Sequence, residues 1–249
     1  MKKGLLLLVA SLVSFASINS VAAEETTSDT ITNRSGVVIP VDKYNALKSI
    51  YSDNFMNYMT QDEYNIIKDK DLSKVVIKEI TDANSNSSTG TRAQEHTTSS
   101  KSLRIVNNDG YVTMTLTWYR VPTIKKWDVM AFRKNTSVNM TSGYAFKQYY
   151  IDTNNNLNLS TEKYGQNFDN GVGATFKVQN GSSHEMELSM EFSGSGRVYG
   201  SYQHASNSKA TLADAMDYTL SGSGFGGVIL FNEAIESKFD GMGGVYLTL

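Results

Sequence analysis

The 249-residue chain has no cysteine, two prolines, two tryptophans and three histidines. Without cysteine there is no disulfide framework, no lipidated thiol and no thiolate chemistry. The three histidines, His96, His184 and His204, leave few members for any imidazole-based catalytic or metal set. Charge of one sign is also lacking: 23 basic and 25 acidic side chains leave a net charge of −2. That balance argues against nucleic acid as a partner, because a phosphate backbone is met by clustered Lys and Arg. Beyond the first two dozen residues no apolar run approaches the ~20 residues that a membrane-spanning helix needs.

The N-terminus is where apolar residues do run together. Lys2 and Lys3 precede an apolar stretch over residues 5–13, continued by 15–18. A small-residue exit, Val21-Ala22-Ala23, and Glu24-Glu25 follow. This is the tripartite form of a secretory signal peptide, with cleavage expected near Ala23. Cleavage removes two lysines and no acids, so the mature chain carries 21 basic and 25 acidic residues, a net −4. Export without cysteine points to a bacterium, since secreted eukaryotic domains usually carry disulfides. The last residues read as a final strand and not as an anchor, so a freely released extracellular protein is expected.

Residues 24–36 are rich in Thr, Ser and Glu and read as a flexible leader. Residues 37–80 form a helical unit: Tyr44, Leu47 and Tyr51 recur at helical spacing. Thr60-Gln-Asp-Glu63 has the form of a capping box, in which Thr60 accepts from the third amide while Glu63 reaches back. Phe55, Met56 and Met59 mark a short helix between these two. Such a unit is too small to hold a core by itself. Residues 81–101 show no apolar periodicity and read as a polar linker containing His96.

From residue 102 onward the period changes to two. Val112, Met114, Leu116 and Trp118 alternate with polar neighbours, as do Met186, Leu188, Met190 and Phe192. That is the mark of half-buried antiparallel strands. Asp109-Gly110 is a strong hairpin turn between two such runs. Further short strands separated by Gly, Asn and Ser turns complete the pattern. The predicted fold is mainly β: an antiparallel β-sandwich over residues 102–249, preceded by the short α-helical N-terminal unit.

Three stretches resemble a family of secreted proteins from Gram-positive bacteria. They are Leu116-Thr-Trp-Tyr-Arg-Val-Pro122 with its continuation Trp127-Asp-Val-Met-Ala-Phe-Arg133, Tyr199-Gly-Ser-Tyr-Gln-His-Ala205, and Lys238-Phe-Asp-Gly-Met-Gly-Gly-Val245. The helical segment around residues 42–68 resembles the leader of many such proteins. The resemblance implies secretion and a β-rich domain, and it carries no catalytic residue over.

No residue set assembles a named chemistry. There is no Gly-x-Ser-x-Gly elbow, and a serine nucleophile needs a base poised beside it. His204 follows Tyr202 on one strand face and reads as a packed histidine. Glu185, Glu187 and Glu191 fall opposite the Met/Leu/Phe row and read as a solvated face. The backbones at 187 and 191 stand about 13 Å apart at the usual rise per residue. Glycosidase carboxyls need roughly 5–9.5 Å. Gly222-x-Gly224-x-x-Gly227 precedes a strand and reads as a glycine-rich turn, because the dinucleotide site depends on a helix there. Asp152, Asn154, Asn156 and Asn158 alternate oxygen side chains as a calcium loop does, but Leu157 stands where such a loop needs glycine. Calcium is therefore the one candidate cofactor.

The remaining constellation is aromatic and basic. Tyr119, Arg120, Lys125, Lys126 and Trp127 cluster within nine residues. Aromatics stack on sugars or sit at membrane interfaces, and nearby cations recruit anionic polymers. The expected function is a secreted, non-enzymatic binding module at a cell surface or matrix, with a glycan, wall polymer or protein as ligand. A membrane-active toxin is the alternative, with the weakly patterned residues 137–173 as its inserting hairpin. A wall or glycan hydrolase is the second alternative.

Overall fold

A computed structural model describes residues 29–81, 100–222, 228–241 and 244–249. The expected signal peptide, the linker around His96, and Gly224 and Gly227 of the glycine-rich turn lie outside the described residues. A short hairpin, β1 (Thr30–Thr32) and β2 (Val38–Pro40), opens the fold. Three helices follow: α1 (Val41–Lys48), α2 (Asp53–Tyr58) and α3 (Gln61–Ile67). Then come strands β3 (Val76–Thr81), β4 (Lys101–Asn108), β5 (Tyr111–Trp118), β6 (Trp127–Lys134), β7 (Val138–Met140), β8 (Ala145–Ile151) and β9 (Leu157–Ser160). Strands β10 (Tyr164–Phe168), β11 (Gly171–Lys177), β12 (His184–Gly194) and β13 (Arg197–Ala205) continue the chain. Helix α4 (Leu212–Met216), strands β14 (Tyr218–Leu220) and β15 (Ile229–Phe231), helix α5 (Glu233–Glu236), and strands β16 (Phe239–Gly241) and β17 (Val245–Thr248) complete it.

The local signals explain these elements. Pro40 stands at the cap of α1, where no backbone donor is needed. The Ser52 hydroxyl accepts from the Phe55 amide to start α2. The capping box of Thr60 and Glu63 starts α3 with both reciprocal bonds present. Asp109 and Gly110 turn β4 into β5 with positive φ values of 47° and 88°, the backbone that a two-residue hairpin requires. A Cβ at Gly110 would stand 2.6 Å from the Phe192 carbonyl oxygen, so glycine is also required by space.

Two antiparallel sheets stack face to face. The first has the order β3-β4-β5-β12-β8-β9, with β7 continuing along β12. The second has the order β10-β11-β6-β13, with β16 and β17 both pairing the far side of β13. The predicted sandwich is present. Between the sheets lie Leu103, Ile105, Val112, Met114, Leu116, Met186 and Leu188 from one side, and Met130, Phe132, Val172, Phe176 and Val198 from the other.

The other face of each sheet is covered too. Leu47, Tyr51, Phe55, Met56, Met59 and Ile67 of the helical unit pack on Val106 and Tyr111 of the first sheet. Ala215, Tyr218, Leu220 and Ile229 pack on Val129, Ala131 and Tyr199 of the second. The molecule is thus four layers deep, which the period-two reading of half-buried strands did not anticipate. Two expected boundaries also move. Residues 76–80 were expected to close the helical unit and Thr81 to open the linker, yet Val76–Thr81 pairs with β4 as an edge strand of the sandwich. Thr30–Thr32 was expected in the flexible leader, yet it pairs with Val38–Pro40.

The covered face corrects the reading of Glu185 and Glu187 as solvated. Glu187 is 1% exposed and has no hydrogen-bond partner among the described residues. Lys147 is its neighbour on β8, but the Lys147 ammonium bonds Glu63 of α3 at 2.5 Å and the Tyr58 carbonyl at 3.3 Å. Glu185 accepts from the Ser52 hydroxyl at 2.6 Å. Burial pushes the Glu187 carboxyl up to about 8, Lys147 opposes this, and Glu63 and Glu185 add repulsion.

The helical unit therefore docks on a carboxyl that stays protonated at neutral pH. The folded value lies above the ordinary one of 4.5, so the folded state holds a proton that the unfolded state has released. The contribution of Glu187 is complete below about 4.5 and is lost as the pH rises through about 8. Thermal unfolding of Glu187→Gln, followed from pH 5 to pH 9, should show a flatter pH dependence than the parent chain. The variant should also be the more stable of the two at pH 9. Parallel curves would show that Glu187 does not set the pH response.

Candidate ligand-binding site

One end of the sandwich is polar. There the first residue of β4, the last of β5, the start of β6 and the end of β13 come together. Lys101, Trp118, Asp128, Tyr202 and His204 all point between the sheets, and all are less than 10% exposed. Their strand positions explain why. Lys101 continues the inward row of Leu103 and Ile105, Trp118 that of Met114 and Leu116, Asp128 that of Met130 and Phe132, and His204 that of Val198 and Tyr202.

Charges placed there must be paired, because an isolated buried ion costs several kcal/mol. Asp128 has no exposed surface and accepts three donors. The Tyr202 hydroxyl makes a short bond to it. Nδ1 of His204 lies 3.0 Å from each carboxylate oxygen, and the Ala205 amide donates at 2.9 Å. The Trp118 indole donates to the Tyr202 hydroxyl at 3.2 Å. Trp118 also meets the His204 ring edge-on at 5.0 Å. Lys101 completes the set, with Nζ 4.9 Å from the Trp118 ring centre and 3.4 Å from the Asp240 carboxylate on β16. Burial and the neighbouring Asp128 carboxylate hold the Tyr202 hydroxyl well above its ordinary value, so it serves as a donor.

An open cleft lies directly over this network. Its lining is Trp118, His204, Ser100, Ser206 and Asp240, with Pro122, Thr123 and Ile124 of the β5–β6 loop as one wall. The same loop carries most of the predicted aromatic and basic patch. Tyr119 is 57% exposed and its hydroxyl donates to Ser102 at 2.9 Å. Arg120 is exposed. The others diverge from the cleft. Lys125 donates to the Gly181 carbonyl at 2.9 Å. Lys126 is half-buried. Trp127 points to the opposite face of its sheet, where it meets Tyr164 edge-on at 5.5 Å. Of the five, Tyr119 and Arg120 are exposed, and none of the five is among the residues that line the cleft.

Asp128 and His204 have the geometry of the carboxylate–imidazole half of a catalytic triad. Among the described residues no hydroxyl is hydrogen-bonded to the second ring nitrogen. The Ser206 hydroxyl donates instead to the Lys238 carbonyl at 3.3 Å. His204 was read from the sequence as a packed histidine, which it is, yet it is also part of the cleft lining. Asp128 was missed altogether. The signal that could have found it is a lone acid on the inward phase of an apolar strand. His184 is buried elsewhere and lies 6.4 Å from Tyr150 with the rings nearly parallel.

The calcium candidates occupy the β8–β9 turn. The Asp152 carboxylate accepts from the amides of Asn154 and Asn156 at 2.8 and 2.9 Å. Asn158 turns its amide donor to the Asn156 carbonyl at 2.8 Å, and Asn155 adopts φ of 63°. The Asn156 amide and its companions lower the Asp152 carboxyl below its ordinary value. These bonds account for the alternation as a self-closed Asx turn. Among the described residues no three His, Asp or Glu side chains gather as a metal site.

Removing the Asp128 carboxylate should leave the donors of Tyr202, His204 and Ala205 unmet inside the protein. Asp128→Ala is expected to cost about 3–5 kcal/mol in urea denaturation, the range for breaking a buried charged pair. Tyr119→Ala, at an exposed site, should cost under about 1 kcal/mol. A small loss for Asp128→Ala would mean that the network does not hold the sandwich end together.

No protein-family model and no curated protein matches the chain. Among solved structures it is similar to the collagen-binding subdomain of the Enterococcus faecalis surface protein ACE, at 6% identity and TM-score 0.29, covering 57% of this chain and 86% of that one. It is similar also to the KRT10-binding region domain of the pneumococcal serine-rich repeat protein PsrP, at 13% identity and TM-score 0.31, over 71% and 99%. A third is the collagen-binding domain of a Staphylococcus aureus adhesin, at 9% identity and TM-score 0.30, over 56% and 87%. At these scores the likeness decides nothing about the cleft or its ligand.

Proposed function

We propose that the chain is a secreted, non-enzymatic binding module acting at a cell surface or matrix, and that the cleft at the sandwich end is its ligand site. One observation carries this reading: an open cleft whose floor is a hydrogen-bonded network of buried side chains around Asp128. Sites of this kind, with a rigid scaffold below and loops around, suit recognition because little order is lost on binding. Apolar Pro122 and Ile124 line the cleft together with polar His204 and Asp240, the mixed lining typical of ligand pockets. Export follows from the N-terminal signal read in the sequence.

The toxin alternative takes residues 137–173 as its inserting hairpin. That segment supplies β7, β8, β9 and β10 and runs into β11, and so joins both sheets. Phe146, Tyr149 and Val172 within it are buried. Its release would open the core.

The test is co-sedimentation of residues 24–249, which include every described residue, with three targets. These are isolated Gram-positive wall sacculi, decellularised matrix, and phosphatidylglycerol liposomes loaded with dye. Pelleting with sacculi or matrix, loss of pelleting in Thr123→Trp, and intact liposomes are expected. Dye release would replace this reading with membrane damage. Pelleting unchanged in Thr123→Trp would move the ligand site away from the cleft.

A further inference from the structure

We infer that two copies of this chain pair through β10, antiparallel and about a two-fold axis at Gln166, so that their second sheets run on into one. No residue of β10 lines the cleft, and the inference does not depend on what the cleft binds.

Strand β10 ends the second sheet and pairs only with β11 among the described residues. Along its other side, alternate backbone N–H and C=O groups turn outward, which makes an end strand a template for another strand. Such edges are usually guarded by a charge, a proline or a bulge. Tyr164-Gly-Gln-Asn-Phe168 contains neither charge nor proline. All five residues pair with β11 in unbroken register, so there is no bulge. Tyr164, Gly165 and Asn167 are exposed.

The segment is complementary to itself in the register of full overlap. When a two-fold axis relates two antiparallel strands, one residue must face its own copy. With Gln166 in that place, two neutral amides meet at the axis. Tyr164 then faces Phe168 of the second copy, and the pair occurs twice. The charges fall just beyond the strand ends. Lys163 faces Asp169 of the second copy, again twice, and both residues are exposed. Opposite charges therefore close the ribbon at each end. Aromatic pairs and opposite-charge pairs are the cross-strand contacts that stabilise a sheet. The aromatic rings are also backed from within each chain: Tyr164 meets Trp127, and Phe168 meets Tyr218, each at 5.5 Å between ring centres.

The end strands of the first sheet do not offer this. A symmetric pair centred on β3 would set Lys78 or Glu79 against its own copy, and like charges directly opposite are unfavourable. On β9 the Leu157 carbonyl already accepts from the Tyr58 hydroxyl at 3.0 Å.

Sedimentation equilibrium of residues 24–249 tests the pairing. The mass should rise with concentration toward twice that of one chain and fall back in high salt, which screens the end pairs. Asp169→Lys and Lys163→Asp each set like charges together at both ends, and each should weaken the dimer about tenfold. The double variant restores opposite charges and should recover the parent affinity. That recovery separates pairing from any effect of either residue on folding. In this cysteine-free chain, Gln166→Cys should give a covalent dimer on mild oxidation with diamide, and Asn45→Cys on the exposed side of α1 should not. A single-chain mass at every concentration would overturn the inference. A dimer that ignores the charge variants, is not restored by the swap, or fails to cross-link through Gln166→Cys would overturn it too, by placing the contact on another surface.

Discussion

A carboxylate shut away from water has to be given donors, and Asp128 collects its three from β13 and the residue that ends it. That demand fixes much else. Tyr202 must turn its hydroxyl inward, which places the Trp118 indole against it from the opposite sheet. His204 must present Nδ1, which orients the whole ring. Trp118, held by Tyr202 and His204, in turn lies beside the Lys101 ammonium, whose second neighbour is Asp240. The two sheets are joined at this end by hydrogen bonds and ring contacts between specific atoms, while elsewhere they meet mainly through apolar contacts. Apolar packing sets the spacing of the sheets, and the polar end sets their relative position, since hydrogen bonds tolerate far less displacement than methyl contacts.

The same comparison explains what could be read from the chain. The strands around Met114, Leu116, Met186 and Leu188 were legible because alternation is a local property. So were the Asp109-Gly110 turn and the Thr60–Glu63 capping box, each of which closes within four residues. The secreted-protein resemblance adds no test of these elements. Strand order was not legible. The partners of β12, for instance, are β5 and β8, and the latter lies three dozen residues away. Nothing in either strand alone names the other.

The aromatic and basic patch was half legible for a related reason. Tyr119 and Arg120 face the solvent as expected, but Trp127 begins a strand whose phase is set by Met130 and Phe132. Its side chain is thereby sent to the opposite face. Asp128 is inward by that same phase, and one residue of register decides which of the two reaches the cleft region. Glu187 was misread through the opposite fault. Its strand face was assigned correctly, and the face was assumed wet because it was polar. The helical unit covers it, and that covering depends on Phe55, Met56 and Ile67, more than a hundred residues earlier.

The two buried polar groups differ in a way that bears on function. Glu187 is sealed beneath helices, lacks a hydrogen-bond partner among the described residues, and is kept neutral by burial. Asp128 is saturated with donors and borders an open cleft. A group of the first kind makes docking of the helical unit depend on pH, with no route to a ligand. A group of the second kind lends rigidity to the neighbours that a ligand would touch. A ligand meeting the pre-ordered His204 and Trp118 would cost little conformational freedom, because both rings are already held by Asp128 and Tyr202.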